Sequence, residues 1–89
     1  MEVEVDFIEF DSWEDFDRIA NILSKDLKFK LIQKTEGIDA RVYEFSDKNF
    51  QFWLVHDDIA GNFLKSESSE SLRMLKEITK KVENILKSA

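Results

Sequence analysis

Residues 39–57, with the sequence DARVYEFSDKNFQFWLVHD, decide the fold of this chain. The two halves of this stretch, residues 39–46 and 49–57, alternate apolar and polar side chains with the period of a half-buried β-strand. The four residues at their junction, 46–49, are turn formers. The stretch therefore predicts an antiparallel β-hairpin.

Pairing the two strands symmetrically about this turn sorts their side chains onto two faces. The face that we expect to point into a core pairs Phe45 with Phe50, Tyr43 with Phe52 and Arg41 with Leu54. The other face pairs Glu44 with Gln51, Val42 with Trp53 and Ala40 with Val55. A slip of one residue would exchange the two faces, so the placement of Trp53 depends on this register.

Upstream of the hairpin, the hydrophobic period changes twice. Residues 2–10 and residues 28–35 alternate as strands. Between them, residues 12–27 carry apolar side chains at steps of three and four, which predicts an amphipathic helix. Asp11 or Ser12 is the predicted N-cap, and Ser12 with Asp15 approximates a capping box. In the first strand the apolar side is Val3, Val5 and Phe7, the acidic side is Glu2, Glu4 and Asp6, and Ile8 and Phe10 follow on the acidic side.

Downstream of the hairpin, a short fifth strand is predicted at residues 61–65, and helical spacing from Leu72 onward predicts a second amphipathic helix. The order β-α-β-β-(β)-α predicts an α+β two-layer sandwich, in which an antiparallel sheet carries both helices on one face. The face that carries Trp53 then stays open. A length of 89 residues predicts a single domain, residues 1–89.

Composition indicates a cytoplasmic protein. The chain has no cysteine, so nothing points to an oxidising compartment. The start, MEVEVDF, lacks the basic and apolar regions of a signal peptide. No apolar run approaches the roughly 20 residues of a membrane span.

Charge is distributed unevenly along the chain. The net charge is −6, yet the first 17 residues carry eight of the 19 acids and no Lys or Arg. Such a field attracts a basic partner and repels nucleic acid and anionic membranes. Simpler explanations stay open, because acids complement the dipole at a helix start and acids on a strand face water and discourage aggregation.

The open sheet face is the predicted interaction surface. An aromatic and several aliphatic side chains on an uncovered face form a patch of the kind that marks interaction sites. The predicted partner-binding residues are Glu2, Glu4, Asp6, Val42, Trp53 and Val55. Two alternatives remain, since Trp53 could lie flat and shield its neighbours, or two copies could pack sheet to sheet.

Motifs that would name a chemistry are missing. His56 is the sole histidine and precedes Asp57 and Asp58, but neither a nucleophile nor a metal motif lies near it in sequence. We therefore predict no catalytic residue, no metal site and no cofactor. The basic residues of the last helix are expected to be solvated or to pair with acids of the first strand or first helix.

In size, acidity and lack of catalytic residues, the chain resembles small acidic bacterial immunity proteins and antitoxins. This general resemblance implies a non-catalytic module that binds and neutralises a basic protein, and it is a likeness of class only. The alternative is a self-associating domain with a structural or regulatory role.

Overall fold

The computed structural model describes residues 1–48 and 50–88, and within them the chain forms a five-stranded sheet and two α-helices. The strands are β1 (Val3–Asp6), β2 (Lys30–Glu36), β3 (Ala40–Asp47), β4 (Phe50–Asp57) and β5 (Gly61–Ser66). The helices are α1 (Trp13–Asn21), which continues into a π-helical turn at Ile22–Asp26, and α2 (Leu72–Ser88), which follows a 3-10 turn at Ser69–Ser71.

The sheet has the order β1-β5-β4-β3-β2, and every neighbouring pair is antiparallel. Both helices pack on one face of it, which confirms the predicted α+β sandwich and the fifth strand. The core between the layers is fully buried at Phe16 and Ile19 of α1, Leu75 and Val82 of α2, and Phe45, Phe52 and Leu54 of the sheet. Burying each such side chain stabilises the fold by about 1.5–3 kcal/mol.

The hairpin register differs from the symmetric prediction by two residues. Phe45 pairs with Phe52 and Tyr43 pairs with Leu54, because β3 continues to Asp47 and β4 begins at Phe50. The predicted four-residue turn was therefore too long; its last residue, Asn49, lies outside the described residues. Because side chains alternate with a period of two, a shift of two residues leaves every face unchanged.

β1 is shorter than predicted. It ends at Asp6, so the alternation does not extend to Ile8 and Phe10 as the sequence suggested. Ile8 lies in the following turn and is 82% exposed, whereas Phe10 packs against the core. Neither residue contributes to the open face of the sheet.

A β-bulge interrupts β2. Leu31 pairs with Phe45 and Gln33 pairs with Glu44, which leaves Ile32 as the extra residue on the edge strand. The extra residue reverses the alternation, so Lys34 lies on the core side with its Nζ 5.2 Å from the centre of the Tyr43 ring. The unbroken alternation predicted for residues 28–35 was wrong at this point.

The capping box of α1 is confirmed. Ser12 Oγ accepts from the Asp15 backbone N–H at 3.0 Å, and Asp15 Oδ2 accepts from the Ser12 N–H at 3.5 Å. After the π-helical turn, Lys28 takes a φ of 65°, the left-handed conformation that commonly ends a helix. The capping box and the left-handed residue mark the beginning and the end of this helical segment.

Candidate functional site

The face of the sheet turned away from the helices carries two rows of side chains. Strand pairing places one residue from each of β1, β5, β4 and β3 in each row. The first row is Glu4, Lys65, Trp53 and Glu44, and the second is Asp6, Phe63, Val55 and Val42. Trp53 therefore has a lysine on one side and a glutamate on the other.

The apolar centre of this face is open to solvent between its polar neighbours. Val42, Trp53 and Val55 are half-buried, and Phe63 is nearly covered at 8% exposed. Trp53 borders two shallow hollows, one of about 220 Å³ on the β5 side and one of about 230 Å³ on the β2 side. The indole thus lines both hollows.

The structure brings five of the six predicted partner-binding residues to one hollow. Glu2, Glu4, Val42, Trp53 and Val55 all line the one of about 220 Å³, together with Phe63, Lys65 and Glu67. Asp6 is on the same face but lies beside Phe63, in the second row. The common location is a matter of geometry, and the binding role of these residues stays a prediction.

Strand order gives the acids of β1 a basic neighbour in the same chain. β5 lies between β1 and β4, so Lys65 separates the acids from Trp53. The Lys65 Nζ is 3.5 Å from the Glu2 Oε2, and Lys65 pairs in register with Glu4. The mutual repulsion expected for Glu2, Glu4 and Asp6 is therefore partly relieved within the protein.

The opposite corner of the open face carries lysines. A broad hollow of about 700 Å³ is lined by residues at the start of β2, the end of β3 and the start of β4. Its charged lining residues are Lys28, Lys30, Lys48, Glu44 and Asp47. Charge on the open face thus changes from acidic at the β1 edge to weakly basic at this corner.

Beneath the turns at the end of β4, a buried polar network ties the chain together. Asn62, 1% exposed, donates through Nδ2 to the carbonyl oxygens of Phe10 at 2.8 Å and Ser12 at 2.9 Å. Its Oδ1 lies 2.7 Å from His56 Nδ1. Since both amide hydrogens are committed to carbonyls, the Oδ1 accepts and His56 Nδ1 carries the proton. Asn62 thereby fastens the segment between β1 and α1 to the sheet.

His56 is buried in this network and contacts aromatic rings. Its ring lies edge-on to Trp13 at 5.0 Å, and its Nε2 is 3.6 Å from Asp58 Oδ1. Among the residues described, no group of three or more His, Cys, Asp or Glu side chains is arranged to hold a metal ion. The observed contacts of His56 are those of a residue that positions a loop.

Arg41 is a buried charge. The alternation of residues 39–46 predicts that it faces the core but predicts no role for it. Its Nη2 donates to Asp17 Oδ1 at 2.8 Å and to the Tyr43 hydroxyl at 2.7 Å, and its Nε is 3.2 Å from Glu36 Oε2. The guanidinium lies 4.4 Å from the centre of the Phe16 ring and 4.8 Å from that of Trp13. A buried charge needs polar or charged partners, so a core-facing arginine in an alternating strand is the sequence feature that could have predicted this cluster.

The pKa of Arg41 reflects two opposing effects. Burial disfavours the charged form, but the hydrogen bonds with Asp17 and Tyr43, and the attraction of those groups, raise the pKa above its usual value. Arg41 therefore stays charged throughout the ordinary pH range.

Among the described residues, one basic side chain of α2 forms an ion pair with the N-terminal part of the chain. Lys87 Nζ lies 3.8 Å from Glu9 Oε1. Glu9 lies within residues 2–10, the predicted first strand in which such a partner was expected, although the observed β1 ends at Asp6.

Comparisons with protein-family models, with curated proteins and with solved structures found no match. Within the described chain, neither helix combines the length and apolar character needed to cross a membrane.

Proposed function

We propose that this protein is a non-catalytic interaction module that binds a basic protein partner through its open sheet face, as an immunity protein or antitoxin does. The observation that carries the proposal is Trp53, a half-buried indole that lines two hollows on the face of the sheet opposite the two helices. A cytoplasmic location is part of the proposal, since the chain contains no cysteine.

The centre of the face supports a desolvated contact. Trp53 and the two valines beside it are half-buried, and the hollows on both sides of the indole would accept apolar side chains of a partner. Tryptophan is enriched among residues that dominate binding energy, especially when a polar rim excludes water around it.

The rim supports a partner of positive charge. Glu2, Glu4 and Glu67 line the hollow on the β5 side, and Lys65 is the one basic side chain among its described lining residues. Carboxylates around an apolar centre steer a cationic protein into contact and disfavour nucleic acid. The contact area would follow the exposed strands from β1 to β3.

Replacing Trp53 with glutamate is expected to abolish partner binding while leaving the fold intact, because residue 53 lies on the open face of the sheet and not in the core. Wild-type protein, Trp53→Glu and Met74→Glu serve as paired baits in an extract of the native cells at low salt. Met74→Glu is the matched control, since Met74 is an exposed residue of α2, on the far side of the sheet.

A basic protein retained by wild type and by Met74→Glu, but lost from Trp53→Glu, supports the proposal. Equal retention on all three baits, or recovery of only acidic proteins, counts against it. Circular dichroism of each variant separates loss of binding from loss of structure.

Self-association is the second candidate function. It is favoured by the hollow lined by Lys28, Lys30 and Lys48, whose charge is opposite to that of the β1 edge. A two-fold axis parallel to the strands would place the β1 edge of one copy over the β2 edge of the other, with Glu2 facing Lys30. Sedimentation at about 50 µM decides between the two states. A species of 10.5 kDa removes the dimer, whereas a dimer that Trp53→Glu dissociates would replace the first proposal.

A further inference from the structure

Three turns meet at one end of the sheet. The antiparallel pairing brings together the residues after β1 (7–12), between β2 and β3 (37–39) and between β4 and β5 (58–60), and we name this surface the loop end. Each turn carries an isoleucine that is almost wholly exposed, Ile8 at 82%, Ile38 at 97% and Ile59 at 98%. Turn positions ordinarily carry polar residues or glycine, so three such isoleucines need a reason other than the core.

Strand order sets the spacing of these isoleucines. Ile8 follows β1, Ile59 lies between β4 and β5, and Ile38 lies between β2 and β3. With neighbouring strands about 4.8 Å apart, the three positions follow the sheet end in steps of about 7 and about 10 Å. The whole row is about 17 Å long, which matches about three turns of an α-helix.

The loop end is also where negative charge concentrates. The three turns hold four acids and no Lys or Arg. Together with the strand and helix residues that flank them, in the ranges 6–15, 36–41 and 57–61, they hold nine of the 19 acids and one of the 13 basic residues, while the remaining chain holds ten acids and twelve bases. The one base is Arg41, which is buried and already paired with Asp17 and Glu36. Lys87 reaches this end from α2 and approaches Glu9.

One of these acids is held ionised by its own turn. The backbone N–H groups of Ala60 and Ile59 donate to Asp57 Oδ1 at 3.0 and 2.8 Å, and they lower the pKa of Asp57 below its usual value. The lowered pKa favours the negative charge beside Ile59.

We propose that the loop end is a second docking surface, which binds a basic amphipathic helix of a protein partner. The apolar side chains of that helix would lie along Ile8, Ile59 and Ile38, and its Lys and Arg side chains would reach the surrounding carboxylates. Both proposals involve a basic partner. This one rests on a different surface and does not require binding at the open face.

The test uses a triple variant, Ile8→Ser with Ile38→Ser and Ile59→Ser, and a synthetic helix as the probe. The probe is a peptide of about 15 residues with leucines on one face and lysines on the other. A second peptide of equal charge, with serine in place of leucine, reports purely electrostatic attraction. Fluorescence anisotropy at about 150 mM salt gives the Kd of each pair.

We expect the leucine peptide to bind wild type in the micromolar range and the triple variant about tenfold or more weakly. Met74→Glu, which adds a negative charge on α2 outside both surfaces, should bind the peptide as wild type does. A loss in Trp53→Glu equal to that of the triple variant would place the peptide on the open face and overturn the inference. The inference is overturned if wild type does not bind at about 100 µM peptide, if the triple variant binds equally well, or if the serine peptide binds as tightly as the leucine peptide.

Discussion

Replacing Asn62 with alanine is expected to lower the free energy of unfolding by about 3–4 kcal/mol. The substitution removes three hydrogen bonds at once. It leaves the Phe10 carbonyl and the His56 N–H without a partner, and it leaves the Ser12 carbonyl with only the Phe16 N–H at 3.2 Å. Each unsatisfied buried group costs about 1–3 kcal/mol, and a chain of this length has about 4–13 kcal/mol of stability in total.

Urea unfolding followed by circular dichroism measures this loss. Asn84→Ala is the matched control, because Asn84 is exposed on α2 and its substitution should change stability by less than about 0.5 kcal/mol. Equal midpoints for the two variants would mean that Asn62 does not fasten the segment between β1 and α1.

Replacing Arg41 with alanine is expected to cost about 3 kcal/mol of stability, because the guanidinium and its stem fill the space between Trp13, Phe16 and Tyr43. Its acidic partners, Asp17 and Glu36, have side chains that are 60% and 53% exposed, so water can solvate them once the arginine is gone. Packing should therefore account for most of the loss.

Arg41→Met separates packing from charge. Methionine restores much of the apolar stem, and the carboxylates left behind, Asp17 and Glu36, are exposed enough for water to solvate them. We expect Arg41→Met to cost about 1 kcal/mol, measured by thermal or urea unfolding beside Arg41→Ala. A loss equal to that of Arg41→Ala would show that the ion pairs, and not the packing, stabilise this region.

Local patterns in the sequence predicted most of the fold. The alternation in residues 39–57 assigned Trp53 to the open face and Phe52 to the core, and both assignments hold. The face assignment survived a register error of two residues, because the pleat repeats with that same period. The capping residues Ser12 and Asp15 located the start of α1 to within one residue.

Other features depend on tertiary contacts or on single insertions that leave no local pattern. The bulge at Ile32 adds one residue to an edge strand, and bulges have no compositional mark in a short alternating segment. The insertion of β5 between β1 and β4 places Lys65 beside Glu2 and Glu4, and this neighbour is more than 60 residues away in the chain. The sequence therefore indicated an acidic strand face more isolated than the real one.

The concentration of acids at the loop end likewise needed the topology. Sequence order showed the acids of residues 6–15, but Glu36, Asp39, Asp57 and Asp58 join them only because antiparallel strands return their turns to the same end. Acidic residues are accordingly concentrated at one end of the strands, in addition to the change of charge across the open face.

The role of the open face is tested most directly by hydroxyl-radical footprinting of the protein, free and in complex with the basic partner captured by wild-type bait. Trp53 reports on the open face, and Met74 of α2 reports on the helical side of the molecule. Binding through the open face predicts that oxidation of Trp53 falls by about tenfold in the complex while oxidation of Met74 is unchanged. Equal oxidation of Trp53 in the free and bound protein would contradict it.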